Sequence, residues 1–312
     1  MKIGTIEAVC TSSMKGTPKQ PKQACLFKEG WGIEGDAHAG KWHRQVSLLS
    51  SEAVQAFVTA TGIKVKQGEF GENLLVAGMD FPLFPIGTVF VSGDVVLRLT
   101  QIGKKCHDGC TIKQRTGKCI MPTQGVFARV LHGGEITPRM ELKAYTNPRV
   151  AIICASDKGY EGKRIDESTP LLKQMVNDHG YETVMTILLP DERKMLAEKM
   201  ASICDGFQSD VILTTGGTGL SFRDVTPEAT EDVADRLVPG LAELMRWKSF
   251  AKTSRASLSR AVCATRKQTL IINLPGSPRG AAECLEAVLE PLAHGLAILQ
   301  GTVEDCAADR TD

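Results

Sequence analysis

Three apolar runs constrain this chain more than any other feature: RVAIICAS from residue 149, SDVILTTGG from residue 209 and QTLIINLPG from residue 268. Each is continuously apolar, as a strand buried on both faces has to be. A fourth run, YETVMTILLP from residue 181, is similar. Helical stretches fall between them, at 164–180, at 191–207, from Pro227 onward and after Pro278. Strand alternating with helix predicts an α/β doubly wound, mostly parallel sheet with helices on both faces.

The texture before residue 146 is different. KIGTIEAV alternates, VSLLS is a short apolar run, and SEAVQAFVTATG reads as one helix begun near Ser50 or Ser51 and stopped by Gly62. GTVFVSGDVVLRLTQIG reads as two strands around a Ser-Gly-Asp turn, and VFARVL and MELKAY are further strands. One helix among many short strands predicts a β-barrel-rich domain or a compact sheet. The Asn-Pro breaker in AYTNP, residues 144–148, separates the textures, giving domains 1–145 and 146–312. Two domains also suit 312 residues. Charge divides at the same place, +6 before the boundary and −5 after it, which predicts different partners for the two domains and argues against nucleic acid. No apolar run reaches membrane-spanning length and the N-terminus lacks an export pattern, so the expected location is the cytoplasm. The ten cysteines then read as reduced thiols, with Cys154, Cys204, Cys263 and Cys284 as small buried hydrophobes.

The stretch TTGGTGLSFRDVTPEAT, residues 214–230, follows a buried strand at the sheet edge where open α/β folds bind ligands. Gly216, Gly217 and Gly219 permit positive φ and uncover backbone N–H groups, which curled together hold anions. Thr226 is the expected cap of the next helix and Pro227 its first residue. The pattern recurs in LPGSPRGAAE, with Pro275 and Gly276 in the turn, Ser277 as cap and Pro278 opening the helix. Two such turns point to a phosphate-rich ligand. The loop lacks the Gly-Lys-Ser/Thr of a P-loop and the third glycine of a dinucleotide fingerprint. Arg223 and Asp224 are placed to face the ligand. A carboxylate beside phosphates calls for a cation between them, and Mg²⁺ held by one or two carboxylates is the natural one. Asp191 and Asp157 follow other strands at the same edge; an N-cap in Pro-Asp-Glu is the competing reading of Asp191.

TTGGTG, the Arg-Asp-Val-Thr-Pro-Glu-Ala-Thr after it, Ser259-Arg260 and LPGSP together resemble the MogA/MoaB family of molybdenum-cofactor biosynthesis over residues 149–301. The resemblance implies a doubly wound fold, a trimer, and Mg-ATP-dependent adenylylation of molybdopterin with release of pyrophosphate. It implies Mg²⁺ on the catalytic carboxylates Asp191 and Asp224. Pterin and nucleotide would be held by Ser156, Asp157, Thr215, Gly216, Gly217, Thr218, Gly219, Arg223, Ser259 and the turn Pro275, Gly276, Ser277, Pro278. Two other functions compete, a carrier that holds molybdopterin without turnover and a CinA-type pyrophosphatase. The Arg-Asp-Val-Thr-Pro run favours the adenylyltransferase.

In the first domain Cys106, Cys110 and Cys119 fall among Lys104, Lys105, Lys113, Arg115 and Lys118. Positive neighbours favour a nucleophilic thiolate and attract an anionic ligand. Zinc on Cys106, His107, Cys110 and Cys119 is the competing reading, though the spacing is not the paired motif of structural zinc. His38 and His43 read as turn residues rather than ligands. GIEGDAHAG, FGENL, the cysteine after QIGKK and FARVLHGG resemble the MOSC domain over residues 3–143. That resemblance implies binding of molybdenum cofactor or carriage of persulfide sulfur on a cysteine. Cys106 is the best match by position, with Cys110 and Cys119 as alternatives. The expected partners are a molybdate-insertion protein, a cysteine desulfurase or a molybdoenzyme.

Overall fold

A computed structural model describes residues 1–104 and 117–301, and the chain divides into two units, Met1–Thr146 and Asn147–Asp312. Cys106 and Cys110, and with them the zinc reading, lie outside the described residues.

The first unit contains β1 (Lys2–Thr11), β2 (Gln20–Lys22), β3 (Cys25–Lys28), β4 (Gly32–Ile33), β5 (Val46–Ser50), β6 (Leu74–Ala77), β7 (Val89–Ser92), β8 (Val95–Ile102), β9 (Val126–His132), β10 (Gly134–Ile136) and β11 (Glu141–Tyr145). Seven of them close a barrel in the order β1-β11-β7-β8-β9-β5-β6 and back to β1, while β2 extends the sheet from β1. Ile6, Phe27, Leu48, Leu74, Phe90 and Leu97 are among the side chains that fill its core. Within the barrel only β5 and β6 pair in parallel. Parallel pairing needs a crossover, and helix α1 (Ser51–Thr61) supplies it. The Ser50 hydroxyl accepts the Ala53 N–H at 3.0 Å to start α1, and Gly62, at φ +72°, ends it. A short helix, α2 (Met121–Gln124), packs beside it through Met121, Phe57 and Phe70.

The second unit is a six-stranded sheet of β12 (Arg149–Ala155), β13 (Glu182–Leu189), β14 (Val211–Thr215), β15 (Arg236–Leu237), β16 (Cys263–Arg266) and β17 (Thr269–Leu274), in the order β13-β12-β14-β17-β16-β15. The first four in that order are parallel. Alternate residues of the central strands serve opposite cores. Val150, Ile152, Val211, Leu213 and Ile272 face one layer; Ala151, Ile153, Ile212 and Ile271 face the other. The helices are α3 (Asp157–Tyr160), α4 (Ser168–Asp178), α5 (Arg193–Asp205), α6 (Thr226–Glu231), α7 (Pro239–Phe250) and α8 (Pro278–Gln300).

Three local expectations change. The helix expected from residue 164 starts at Ser168, because the Asp166 carboxylate accepts the N–H groups of Ser168 and Thr169, each at 3.0 Å, and turns the chain there. The helical stretch from Pro227 is two helices, α6 and α7, with β15 between them. The far edge of the sheet, β16 and β15, is antiparallel.

Candidate active site

The strand register brings four turns to one edge of the second sheet. Ala155 lies opposite Leu189, Thr215 opposite Cys154, and Leu274 opposite Thr215. Ser156-Asp157, Asp191, Gly216–Gly219 and Pro275–Pro278 therefore leave the sheet together, and all line one cavity of about 1070 Å³. Thr215, Arg223, Asp224 and Ser259 line it too.

The glycine turn is shaped by close approach. Gly216 has φ +100°, and a Cβ there would stand 2.2 Å from the Ala155 carbonyl oxygen. Gly217 has φ +63°, and a Cβ there would stand 2.4 Å from the Thr226 hydroxyl. A Cβ at Gly216 would require the backbone to move, and one at Gly217 would displace the Thr226 side chain at a φ that L residues rarely adopt. Thr226 does not cap helix α6 with its side chain; Val225 is the cap residue, and the Thr226 hydroxyl donates to the Gly216 carbonyl at 2.9 Å. Below the loop, buried Asn273 donates to the hydroxyls of Thr214 at 3.0 Å and Thr230 at 2.8 Å. The Thr215 hydroxyl donates to the Pro275 carbonyl at 2.8 Å and ties the two turns together. Ser277 caps α8 as expected, accepting the Gly280 N–H at 3.2 Å, and Pro278 opens that helix.

Among the described residues, the N–H groups of Gly217, Thr218, Gly219, Gly276 and Ser277 have no intramolecular acceptor. Such a set of unspent donors at a cavity wall suits an anion.

The acids form the opposite charge. Asp157 and Asp191 exchange backbone for side chain: the Asp157 N–H donates to Asp191 Oδ2 at 2.9 Å and the Asp191 N–H to Asp157 Oδ1 at 3.0 Å. Asp191 is thus engaged as a strut between two turns rather than as the cap of α5, whose cap residue is Glu192. Asp224 accepts the Ser221 N–H at 2.8 Å. Arg223 holds Asp157 with two bonds, of 3.0 and 2.9 Å, and Glu192 with one of 2.9 Å. It is the one basic side chain among the described residues hydrogen-bonded to any of the three aspartate carboxylates. Its guanidinium holds the Asp157 carboxyl below its ordinary range. Burial pushes the Asp191 carboxyl up; the Asp157 N–H pulls it back, and the charges of Asp157 and Asp224 raise it further.

Of these three acids only Asp157 is held by a basic side chain, and all three stand beside unspent N–H donors. Among the described residues no three His, Cys, Asp or Glu side chains form a metal cage. Mg²⁺ commonly uses one or two carboxylates and completes its shell with water and phosphate oxygens. Asp191 Oδ1 and Asp224 Oδ1 accept no hydrogen bond among the described residues, so the pair fits that habit.

Two parts of the site escape sequence reasoning, and for a third, the arginine of the Ser259-Arg260 motif, the sequence assigns no role. Arg164 and Ile165 line the cavity because the chain before α4 is a loop. Arg246 and Arg255 reach it from α7 and the short 3-10 turn Ser254–Leu258. Arg260 grips the glycine loop from outside the cavity wall. Cys154 lines the cavity too, but burial foremost, with Asp166, pushes its thiol up to about 12, so it is no thiolate nucleophile.

In the first unit the segments GDAH and GENL meet. Asp36 accepts from Lys19 Nζ at 2.5 Å, Asn73 Nδ2 at 3.1 Å and the Ser12 N–H at 3.2 Å, and Asp36, Lys19 and Asn73 are all buried. His38 lies in a turn with its Nδ1 3.5 Å from both Asp36 and Lys19, and His43 meets Gln101 at 2.9 Å. Glu72 is buried and its carboxyl is pushed up to about 7 by burial. Cys119 packs at the edge of the cluster formed by Phe57, Phe70 and Met121.

Comparison with known proteins gives the following. Residues 151–294 match the family described as "Probable molybdopterin binding domain", and residues 35–142 match the MOSC domain family. A molybdopterin adenylyltransferase of Helicobacter pylori is 36% identical over 154 residues, 49% of this chain and 88% of that protein. One from Escherichia coli K12 is 38% identical over 156 residues, 49% of this chain and 78% of that protein. The crystal structure of a molybdopterin biosynthesis enzyme, MoaB, from Thermus thermophilus is 47% identical, covers 49% of this chain and 97% of its own, and has a TM-score of 0.48.

Proposed function

The chain belongs to the molybdopterin adenylyltransferase family through its second unit, and from that premise we propose that this unit transfers the adenylyl group of ATP to the phosphate of molybdopterin. A phosphate oxygen of molybdopterin attacks the α-phosphorus, the bond to the β-phosphate oxygen breaks, and pyrophosphate leaves. One observation carries the reading: five unspent backbone N–H groups and three clustered aspartates face one cavity. Its volume is at the upper end of the roughly 300–1,000 Å³ of ordinary ligand sites, which suits two substrates held side by side.

The work of the protein is positioning and charge placement. The N–H groups of Gly217, Thr218 and Gly219 hold one phosphate group, and those of Gly276 and Ser277 another. Asp191 and Asp224 hold Mg²⁺, which when bound neutralises triphosphate charge. Arg223 exchanges its half-exposed carboxylate partners for phosphate; Ser156, Asp157, Thr215 and Ser259 complete the walls. In the same proposal the first unit binds molybdenum cofactor or carries sulfur on Cys106, Cys110 or Cys119. It hands on to a molybdate-insertion protein or a molybdoenzyme, with sulfur from a cysteine desulfurase. The second unit assembles as a trimer, and the whole works in the cytoplasm.

The test is direct. Protein incubated with molybdopterin and Mg-ATP is expected to yield adenylylated molybdopterin by mass spectrometry. Asp224→Ala is expected to lower kcat about 100–1,000-fold with little loss of stability. Molybdopterin bound by folded wild-type protein but never adenylylated would leave a carrier in place of the enzyme.

A further inference from the structure

Arg260 lies outside the cavity wall, yet its donors converge on the loop that carries Asp224. Its N–H donates to the Thr218 carbonyl at 3.0 Å. Nε donates to the Gly219 carbonyl at 2.7 Å and Nη2 to the Asp224 carbonyl at 2.5 Å. Nη1 meets the Glu228 carboxylate. One planar group thus fixes both ends of the segment from Gly219 to Asp224. The side chains between those ends are in solvent, Leu220 at 67% and Phe222 at 98% exposure, so packing does not hold the segment.

Its other ties are weaker anchors. The bonds between Ser221 and Asp224 are internal to the segment and move with it. The ion pairs of Arg223 are half-exposed and screened by salt. Arg260 is two-thirds buried and bonds to main-chain carbonyls, which report the path of the backbone itself. A lysine does not replace it: an ammonium offers three donors from one point, whereas a guanidinium spans separate acceptors with a rigid fork.

We propose that Arg260 is a positioning residue that aims the Asp224 carboxylate at the divalent cation; the inference rests on the metal role given to Asp224 above. The first measurement needs no turnover. Mn²⁺ alone, titrated against the full-length protein and followed by electron paramagnetic resonance, is expected to bind about tenfold more weakly to R260K than to wild type. D224N is expected to show a similar loss, and R260K/D224N no further loss, since both act through one carboxylate. In turnover, R260K is expected to lose about 100-fold in kcat with KM for molybdopterin unchanged, as a misplaced rather than missing binding group would.

Wild-type Mn²⁺ affinity in R260K overturns the inference, and so do losses that multiply in the double variant. Should R260K lose its cooperative melting, E228A, which removes only the acceptor of Nη1, is read in the same titration, where no weakening counts against the proposal. If wild type makes no adenylylated product, the adenylyltransferase reading fails, while the Mn²⁺ cycle still decides the role of Arg260.

Discussion

The two ends of the second unit's sheet use the same strands and polar side chains to opposite effect. At the end where the parallel strands begin, Arg149 is 2% exposed and its donors are spent. Its N–H and Nε reach Asp210 Oδ2 at 2.8 and 3.1 Å, Nη2 reaches Oδ1 at 3.1 Å, and Nη1 reaches the Phe207 carbonyl at 2.8 Å. Gln300 adds a further donor to Asp210 at 3.1 Å. At the other end, only one of three clustered aspartates is held by an arginine, and five N–H groups lack internal acceptors among the described residues. Polar groups that satisfy one another hold a fold; polar groups left with capacity bind something else. The site is the end of the sheet where that accounting does not close.

The contrast can be broken at either end. The largest effect is expected from Asp210→Ala, which strands a buried guanidinium and should cost about 3–5 kcal/mol in urea unfolding. Turnover per folded molecule should be unchanged. A loss below about 1 kcal/mol would mean that the Arg149 end is not the structural one. Gly216→Ala comes next. Its φ of +100° and the 2.2 Å approach to the Ala155 carbonyl predict about 1–3 kcal/mol of strain together with lower activity, read by melting and product assay. The smallest effect has the opposite sign. The native state holds the Asp191 proton more tightly than the unfolded chain does, so stability falls as pH rises through that window and levels off above it. Asp191→Asn is expected to flatten that fall and to be at least as stable as wild type at neutral pH, while turnover is lost. A variant less stable than wild type at neutral pH would show that the charge itself supports the fold.

Much of this was legible in the sequence, for identifiable reasons. Continuous apolar runs marked β12, β14 and β17, and Ser50, Gly62, Ser277 and Pro278 marked helix ends, because those signals are local. The antiparallel strand β16 went unread since CATR carries no pattern of its own; β17 recruits it through pairing. Thr226 was misread as a cap because its hydroxyl's partner, the Gly216 carbonyl, lies ten residues back across a loop. The fork of Arg260 reaches back 36 and 41 residues, and the pair Lys19–Asp36 joins two loops 17 residues apart. Acids at strand ends could be picked out singly; that Asp157 and Asp191 brace each other could not.

That brace has an evolutionary consequence. Each aspartate serves as a peg through one oxygen and as a charge through the whole carboxylate. An asparagine keeps the peg, since its carboxamide oxygen accepts the same N–H, and discards the charge. A descendant of this chain can therefore fall catalytically silent by exchanging one atom group on each turn while its outline and its ligand cavity stay as they were. Among relatives of identical shape, the letter at these two positions, more than the fold, would separate workers from holders.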